Sequence, residues 1–403
     1  MEKTIPLRYN YRLYPNREQR VLLARTFGCV RFVYNECLSQ YTKAYEAFRK
    51  SPPGLKHRPR PNSTTFNTIL NALKQEHEWL REVSSVTLQQ SFRDLITAFN
   101  GFFTNRTRHP RFKSKGHTQS CRFMRTAFRV KGDTFTIAKC DTPLKVKWSR
   151  PLPNPPSSAT ITLNRAGQYH VSFVVEVPVQ PTFGTGYVGL DLGLTHFATL
   201  STGEKIENPR YYTRSQKRLA RLQRRLSKAK KGSQNRAKLR LKIAKLHRKV
   251  ANQRHDWHHK LSNRLVRENQ AIGIESLRVK NMLANRKLAK HISDVGWGAF
   301  AGMLKYKAHR SVTATVLVHR SFYASTQICS ECDYRLTKEQ KLTLKDREWS
   351  CPECHARHDR DVNAARNLIK YTREWFTKER SLKESVLNHS RVIEVNTIKQ
   401  LLV

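Results

Sequence analysis

The stretch Tyr187-Val188-Gly189-Leu190-Asp191-Leu192-Gly193 decides how the chain is divided. Its apolar residues and bracketing glycines read as a buried strand carrying one carboxylate, Asp191. The run continues through Phe197-Ala198-Thr199-Leu200 to Ser201-Thr202-Gly203, a hairpin partner and its turn. Ala271-Ile272-Gly273-Ile274-Glu275 is a second short apolar strand, and this one ends in a carboxylate. Asp361 opens a third segment, Asp361-Val362-Asn363-Ala364-Ala365-Arg366-Asn367-Leu368, patterned as a helix start with Asp359 placed to cap it.

Upstream, the period is two between about residues 125 and 180. Phe135/Ile137, Leu144/Val146/Trp148, Ile161/Leu163 and Tyr169/Val171/Phe173/Val175/Val177 alternate between Gly- and Pro-rich turns, which predicts a small barrel or sandwich. Ile5 to Leu13 alternates as well and can join it, making the intervening block an insertion. That block is helical in pattern. Asn16 is placed as a helix cap with Gln19 reaching back, and Leu88, Phe92, Leu95, Phe99 and Phe103 form one apolar stripe. Residues 51–62, with four prolines, read as a loop.

Downstream of the first carboxylate strand, residues 214–250 hold 16 Lys or Arg and no acid. Leu219, Leu222 and Leu226 share one face, as do Leu239, Ile243, Leu246 and Val250. Lys230-Lys231-Gly232-Ser233 is the turn of a helical hairpin between them. The hairpin reads either as a solvated pair or as the liner of a polyanion channel. Tyr211, Tyr212 and Trp257 suit base stacking or the core equally.

The whole chain has 403 residues, enough for two or three domains, and 76 Lys plus Arg against 30 Asp plus Glu, a net charge of +46. Such an excess repels itself unless a polyanion neutralises it, with nucleic acid the first choice and anionic membrane the second. No apolar run approaches a membrane span of roughly 18–20 residues, and Met1-Glu2-Lys3-Thr4-Ile5-Pro6 lacks the apolar region of a signal peptide. The expected location is the cytoplasm. Of the 8 cysteines, Cys29, Cys37, Cys121 and Cys140 are scattered and read as ordinary thiols. Cys329-x2-Cys332, a gap of eighteen residues, and Cys351-x2-Cys354 form a structural Zn2+ pattern with a closed four-thiolate shell. His355 and His358 read as flanking residues.

A carboxylate inside an apolar strand is costly unless paired or metal-bound. Three that meet can hold two Mg2+ ions about 3.5–4 Å apart and hydrolyse a phosphodiester by in-line attack. Helix caps and surface acids are the plainer reading of the same residues.

Residues 188–193, 272–277 and 358–368 resemble, in order and spacing, the three motifs of a RuvC-like nuclease domain, which has the ribonuclease H fold. With the CxxC pairs between the second and third motifs, the chain resembles the TnpB family, transposon-encoded RNA-guided nucleases related to type V CRISPR effectors. Tyr11-Arg12-Leu13-Tyr14-Pro15-Asn16, Val30-Arg31-Phe32-Val33-Tyr34-Asn35 and Ile292-Ser293-Asp294-Val295-Gly296-Trp297 resemble that family too, so the likeness covers about residues 5–370.

The resemblance implies an α+β multidomain chain. A β-barrel wedge domain occupies 1–13 and 120–182, with a helical recognition lobe at 14–119 inserted into it. The RuvC-like domain spans 183–325 and 356–380, interrupted by a zinc-binding insertion at 326–355. A weakly patterned tail, read as partly disordered, fills 381–403. Asp191, Glu275 and Asp361 carry over as the Mg2+-binding catalytic acids, and Cys329, Cys332, Cys351 and Cys354 as the Zn2+ ligands. The implied partners are a guide RNA made from the transposon end and a target double-stranded DNA bearing a short adjacent motif, in a monomeric, nucleoid-associated ribonucleoprotein of a prokaryote. Gln89 matches the family's reader of that motif, although the neighbouring Ser84 and Ser85 depart from its pattern. Arg221, Arg224, Arg225 and Lys228 are the candidate phosphate contacts. Two other functions use the same scaffold: a nuclease-inactive RNA-guided DNA-binding repressor, and an RNA-independent transposase.

Overall fold

The alternation along Tyr169–Pro178 puts Val171, Phe173 and Val175 on one face, and all three are fully buried. Phe173 is the hub of an aromatic core, stacked on Trp148 at 5.7 Å between ring centroids and meeting Phe135 edge-on at 5.1 Å. The computed structural model describes residues 4–50, 59, 61–179, 184–311, 315–319, 325–343 and 345–388. They form two units, Met1–Pro178 with Arg225–Lys245, and Val179–Arg224 with Leu246–Val403.

In the first unit, β1 (Thr4–Tyr14) leads into α1 (Arg17–Lys50), α2 (Ser63–Glu76) and α3 (Ser85–Phe103). The strands β2 (Gln119–Met124), β3 (Phe128–Lys131), β4 (Thr134–Ile137), β5 (Lys145–Lys147), β6 (Ser158–Leu163) and β7 (Tyr169–Pro178) follow. An antiparallel sheet has the order β2-β6-β7-β1-β5, and β3 and β4 make a separate hairpin. The first strand is thus a central member, paired with β7 from Thr4 opposite Pro178 to Leu13 opposite Tyr169. The three helices fall between two strands of one sheet.

The cap expected at α1 is present. Asn16 Oδ1 accepts from the Gln19 N–H at 2.8 Å, and Gln19 Oε1 accepts from the Asn16 N–H at 3.0 Å. Along α3, Leu88, Phe92, Leu95 and Phe99 are buried as the stripe requires. Phe103 departs from it: at the end of the helix it is 45% exposed and, among the described aromatic rings, meets only those of Phe99 and Phe102. Most of the loop expected at 51–62 lies outside the described residues. Cys29, Cys37 and Cys121 are buried, and burial pushes the Cys29 thiol up to about 11 and Cys37 to about 12, as suits inert core thiols.

In the second unit, β8 (Gly186–Leu192), β9 (His196–Leu200) and β10 (Lys205–Glu207) form an antiparallel meander. The basic helices α4 (Tyr211–Lys228) and α5 (Gln234–Glu268) come next, of which Arg225–Lys245 belongs to the first unit. Gly232 turns between them with φ +83°, a left-handed conformation that favours glycine. Then come β11 (Asn269–Glu275), α6 (Val279–Met282), α7 (Ala289–Val295), α8 (Trp297–Ser311) and β12 (Thr315–His319). The short strands β13 (Glu348–Ser350) and β14 (Arg357–Asp359) and the long helix α9 (Arg360–Asn388) complete the chain. The sheet has the order β10-β9-β8-β11-β12, in which β8, β11 and β12 run parallel. α9 continues through residues 381–388, and the rest of the sequence-predicted tail lies outside the described residues. Among the described residues no helix is long and apolar enough to cross a membrane.

Segment 292–297 joins the helices of this unit. The Asp294 carboxylate accepts the N–H groups of Tyr212 and Thr213 at 3.0 to 3.3 Å, satisfying donors in the first turn of α4. The Val295 carbonyl lies 3.0 Å from His258 Nε2 on α5. Gly296 ends α7 at φ +69°, where a Cβ would lie 3.3 Å from His258 Cε1.

Two strand glycines set the distance between sheet and helix. A Cβ on Gly189 would collide with the Ala365 carbonyl of α9, and one on Gly273 with the Thr372 hydroxyl and the Leu368 carbonyl. Gly189→Ala is therefore expected to destabilise the unit by about 1–3 kcal/mol through overpacking, read as a lowered thermal midpoint. An unchanged midpoint would contradict so close an approach.

Candidate functional site

Residues two apart on a strand share a face. Gly189 and Asp191 on β8 therefore face α9, and so do Gly273 and Glu275 on β11. The parallel register pairs Ile274 with Leu190, which leaves Glu275 beside Asp191 at the same end of the two strands. Asp361 lies in the first turn of α9, the helix that packs on both. The structure thus gathers Asp191, Glu275 and Asp361, which are 84 and 86 residues apart in sequence.

Their electrostatics reflect this proximity. Burial, then the charges of Glu275 and Asp361, push the Asp191 carboxyl up to about 8. Burial alone pushes Glu275 up to about 7. Asp361 is compensated: Arg360 meets its Oδ1 at 3.0 Å through Nη2, and Arg347 reaches its Oδ2 at 3.4 Å. Among the described residues no cation forms an ion pair with Asp191 or Glu275. Asp359 is the helix cap, accepting the N–H groups of Asp361 and Val362 at 3.0 Å each and pairing with Lys205 at 2.6 Å. Burial pushes its carboxyl up, but the Lys205 ammonium and the helix N–H donors outweigh that and hold it below the usual range. A cavity of about 150 Å3 opens beside Glu275, lined among others by Ser276, Trp297 and Lys305. An all-oxygen, like-charged donor set with net repulsion suits a hard divalent cation.

The four cysteines of the CxxC pairs also converge. Their Sγ atoms all lie within 4.8 Å of one another, with Cys329–Cys354 and Cys332–Cys351 at 3.6 Å. Zn–S bonds of about 2.3 Å at tetrahedral angles require sulfur separations of about 3.8 Å. The cluster therefore fits a structural Zn2+.

His358 is more than a flanking residue. It is 5% exposed, its Nε2 lies 3.1 Å from Cys329 Sγ, and its ring packs on Trp349. His355 takes the left-handed turn after Cys354 at φ +59°. Asn363 accepts from the Ser330 N–H at 2.8 Å and donates to the Ile328 carbonyl at 2.7 Å. Asn367 donates to the carbonyls of Ser325 and Ile328 at 2.8 and 2.7 Å. Both amides are about 1% exposed, so the helix carrying Asp361 is fastened to the strand of chain carrying Cys329. Spacing of four residues marks Asn363 and Asn367 as one helix face, yet only the fold gives them their partners.

The candidate nucleic-acid contacts are distributed on helices. Gln89 is half-buried on α3, and Arg221, Arg224, Arg225 and Lys228 are exposed on α4. Trp257 meets Phe197 edge-on at 4.6 Å and belongs to the core rather than to a stacking surface.

A family model described as "Probable transposase" matches residues 170–286, and one described as "Cas12f1-like, TNB domain" matches residues 297–368. A third, described as "Helix-turn-helix domain", matches residues 1–50. Over residues 4–50 the chain is instead a strand followed by the single helix α1. The protein titled "Putative RNA-guided DNA endonuclease" of Streptomyces pristinaespiralis is 42% identical over 375 residues, 92% of this chain and 90% of that protein. "Putative RNA-guided DNA endonuclease InsQ" of Escherichia coli (strain K12) is 30% identical over 381 residues, 90% of this chain and 91% of that protein. Among solved structures, the cryo-EM structure of a Cas12f1–sgRNA–target DNA complex contains a chain similar to this one. The TM-score is 0.54 at 12% identity, over 91% of this chain and 98% of that one. The fold is therefore of the Cas12f1 type. The chain belongs to the TnpB family.

Proposed function

We propose that this protein is an RNA-guided endonuclease for double-stranded DNA, encoded by a transposon, that cuts both strands at one acidic site. The observation that carries the reading is the convergence of Asp191, Glu275 and Asp361 at one end of the β8–β11 pair beneath α9. The mixed sheet, antiparallel through β10-β9-β8 and parallel through β8-β11-β12, supports a ribonuclease H-like nuclease domain. The four-cysteine cluster supports a zinc ribbon inserted before its last helix. The sheet containing β1 and β7, with the helices between β1 and β2, supports a wedge domain carrying a recognition lobe.

Asp191, Glu275 and Asp361 are the carboxylates that would hold two Mg2+ ions. Bound there, Mg2+ supplies Lewis-acid activation and charge stabilisation for phosphodiester hydrolysis. The protein's own groups prepare the site. The Asp359 cap fixes the first turn of α9 and so the origin of the Asp361 side chain. Arg360 and Arg347 hold that carboxylate in one orientation. Gly189 and Gly273 bring the two strands close enough for all three acids to face one another. Sequence is read by base pairing between guide and target, which leaves the protein to bind phosphates, and a charge of +46 suits that task.

The test is to purify the protein from cells carrying its native flanking DNA and to sequence the RNA that accompanies it. One abundant RNA ending in transposon-flanking sequence, whose replaced end redirects cleavage to a new site, is the expected result. Random cellular RNA, or transposon ends joined to DNA by the protein without RNA, would instead favour the transposase reading.

A further inference from the structure

The segment between α3 and β2, residues 104–118, contains Arg106, Arg108, Arg111, Lys113 and Lys115 and no acid. A basic connection of this kind is ordinarily a flexible solvated loop. Here it is fastened at several points, all within the first unit. Asn35 on α1 grips the Lys113 backbone twice, donating to its carbonyl at 3.0 Å and accepting from its N–H at 2.8 Å. The Lys113 ammonium lies 3.8 Å from the centre of the Tyr34 ring, so this cation serves the clamp. Gln119 Nε2 donates to the carbonyls of Ser114, Lys115 and His117 at 2.8 to 3.3 Å, and Arg31 holds the other end of the Gln119 amide at 2.7 Å. On the far side, the N–H groups of Arg106 and Thr107 donate to the Gly101 carbonyl, His109 packs against Phe99 and Phe102, and Pro110 is buried. Arg31, Tyr34 and Asn35 belong to the family-like segment 30–35, and each is used to hold this loop.

What the clamp presents is unusual for a loop of such charge. Phe112 is 62% exposed, the most exposed of the large apolar side chains among the described residues. Arg106, Arg108, Arg111 and Lys115 around it are exposed, and none is ion-paired among the described residues. Leaving a phenylalanine ring in water has no value to folding. A rigid ring flanked by unpaired cations matches a nucleic-acid strand, which offers a base face for stacking and phosphates on either side. In a duplex the base faces are already covered by their neighbours, so an unpaired stretch is the better fit.

From this geometry we infer that the loop at residues 104–118 is a preorganised binding finger for an unpaired nucleic-acid strand, with Phe112 stacking on a base and Arg108, Arg111 and Lys115 meeting the phosphates. The inference deepens the proposed function and rests on it, since it names a strand-binding element of the same enzyme.

The experiment is equilibrium binding of the full chain, stripped of co-purifying nucleic acid and kept in Mg2+-free buffer. The probes are unstructured single-stranded RNA, single-stranded DNA and blunt duplex DNA. Phe112→Ala should weaken binding of an unpaired strand about tenfold while changing duplex binding less than about twofold, and Phe112→Trp should restore it. Arg111→Gln should lower the slope of log affinity against log salt by about one. A loss confined to RNA assigns the strand to RNA, a loss confined to DNA assigns it to DNA, and either supports the finger. Wild-type affinity of Phe112→Ala for every probe, or an equal loss on strand and duplex, would overturn it. Guided cleavage by the wild-type protein is scored separately. Its absence beside a Phe112-dependent affinity would remove the nuclease reading and leave the finger standing.

Discussion

Asp191→Asn is expected to abolish cleavage and, in the same protein without Mg2+, to raise thermal stability at pH 8. The first effect follows from residues that act as a unit, where removing one costs about a thousandfold or more. The second follows from the sign of the carboxyl shifts. Burial and the charges of Glu275 and Asp361 raise Asp191 from 3.8 to about 8, and burial raises Glu275 from 4.5 to about 7. A carboxyl whose folded value lies above its unfolded value binds its proton more tightly in the native state. Its favourable contribution is then complete at low pH and lost as pH rises from about 4 to about 8. The loss for Asp191 is on the order of a few kcal/mol. Asparagine removes the ionisation, so the variant should melt above wild type at pH 8 and together with it at pH 5, where Asp191 already carries its proton. Adding Mg2+ should raise the wild-type midpoint at pH 8 and leave the variant nearly unmoved. Calorimetry at the two pH values checks this, and a variant less stable than wild type at pH 8 without metal would mean that the three acids do not repel one another.

The parts of this fold that are legible in the sequence are those in which one face of a local element decides its environment. The period of two in residues 169–177 states which side chains are inward, and Val171, Phe173 and Val175 are there. The Asn16–Gln19 cap is local for the same reason. The basic helical hairpin is legible at its turn but not in its length. After Val250 the leucine spacing gives way to Arg254, His255, Trp257, His258 and His259, yet α5 continues to Glu268. Tertiary partners sustain it: Lys307 on α8 donates to the His259 carbonyl at 2.8 Å and to the Ser262 hydroxyl at 2.7 Å, and His258 is seated against Val295. No periodicity encodes such contacts.

The acidic site divides in the same way. That Asp191 lies within one buried strand and Glu275 ends another is visible from the surrounding apolar residues. That they lie side by side depends on a parallel register between strands separated by a long helical excursion, and parallel pairing has no local sequence rule. Gly189 and Gly273 stand two residues before their acids, and the physical reason for that spacing appears only once α9 is laid over them. The role of His358 escapes a reading by ligand count because four cysteines already fill a metal shell. Its contact with Cys329 is to the ligand, and outer contacts of that kind are invisible to such counting.

Those outer contacts make zinc removal the second large effect. The apolar cluster of the knuckle consists of Cys329, Leu336, Trp349 and Cys351 with Tyr334 and Leu342 against it, far too small a core to fold without a metal. Its chain is also the partner surface for the helix bearing Asp361. Asn363 and Asn367 bind Ser325, Ile328 and Ser330, and the Arg360 guanidinium donates to the Thr343 carbonyl at 2.8 Å while its N–H donates to Arg347. If the knuckle opens, two buried amides lose their partners at a cost of about 1–3 kcal/mol each, and Arg347 is no longer held near Asp361. Cys332→Ser with Cys354→Ser should therefore release the zinc and speed amide exchange at Ser330 and in residues 360–367. Cleavage should fall with it, although no cysteine touches the acidic site. The β1–β7 ladder, in the other unit, should keep its protection. Retained protection over residues 360–367 together with full cleavage in the zinc-free protein would show that the helix positions Asp361 without the knuckle.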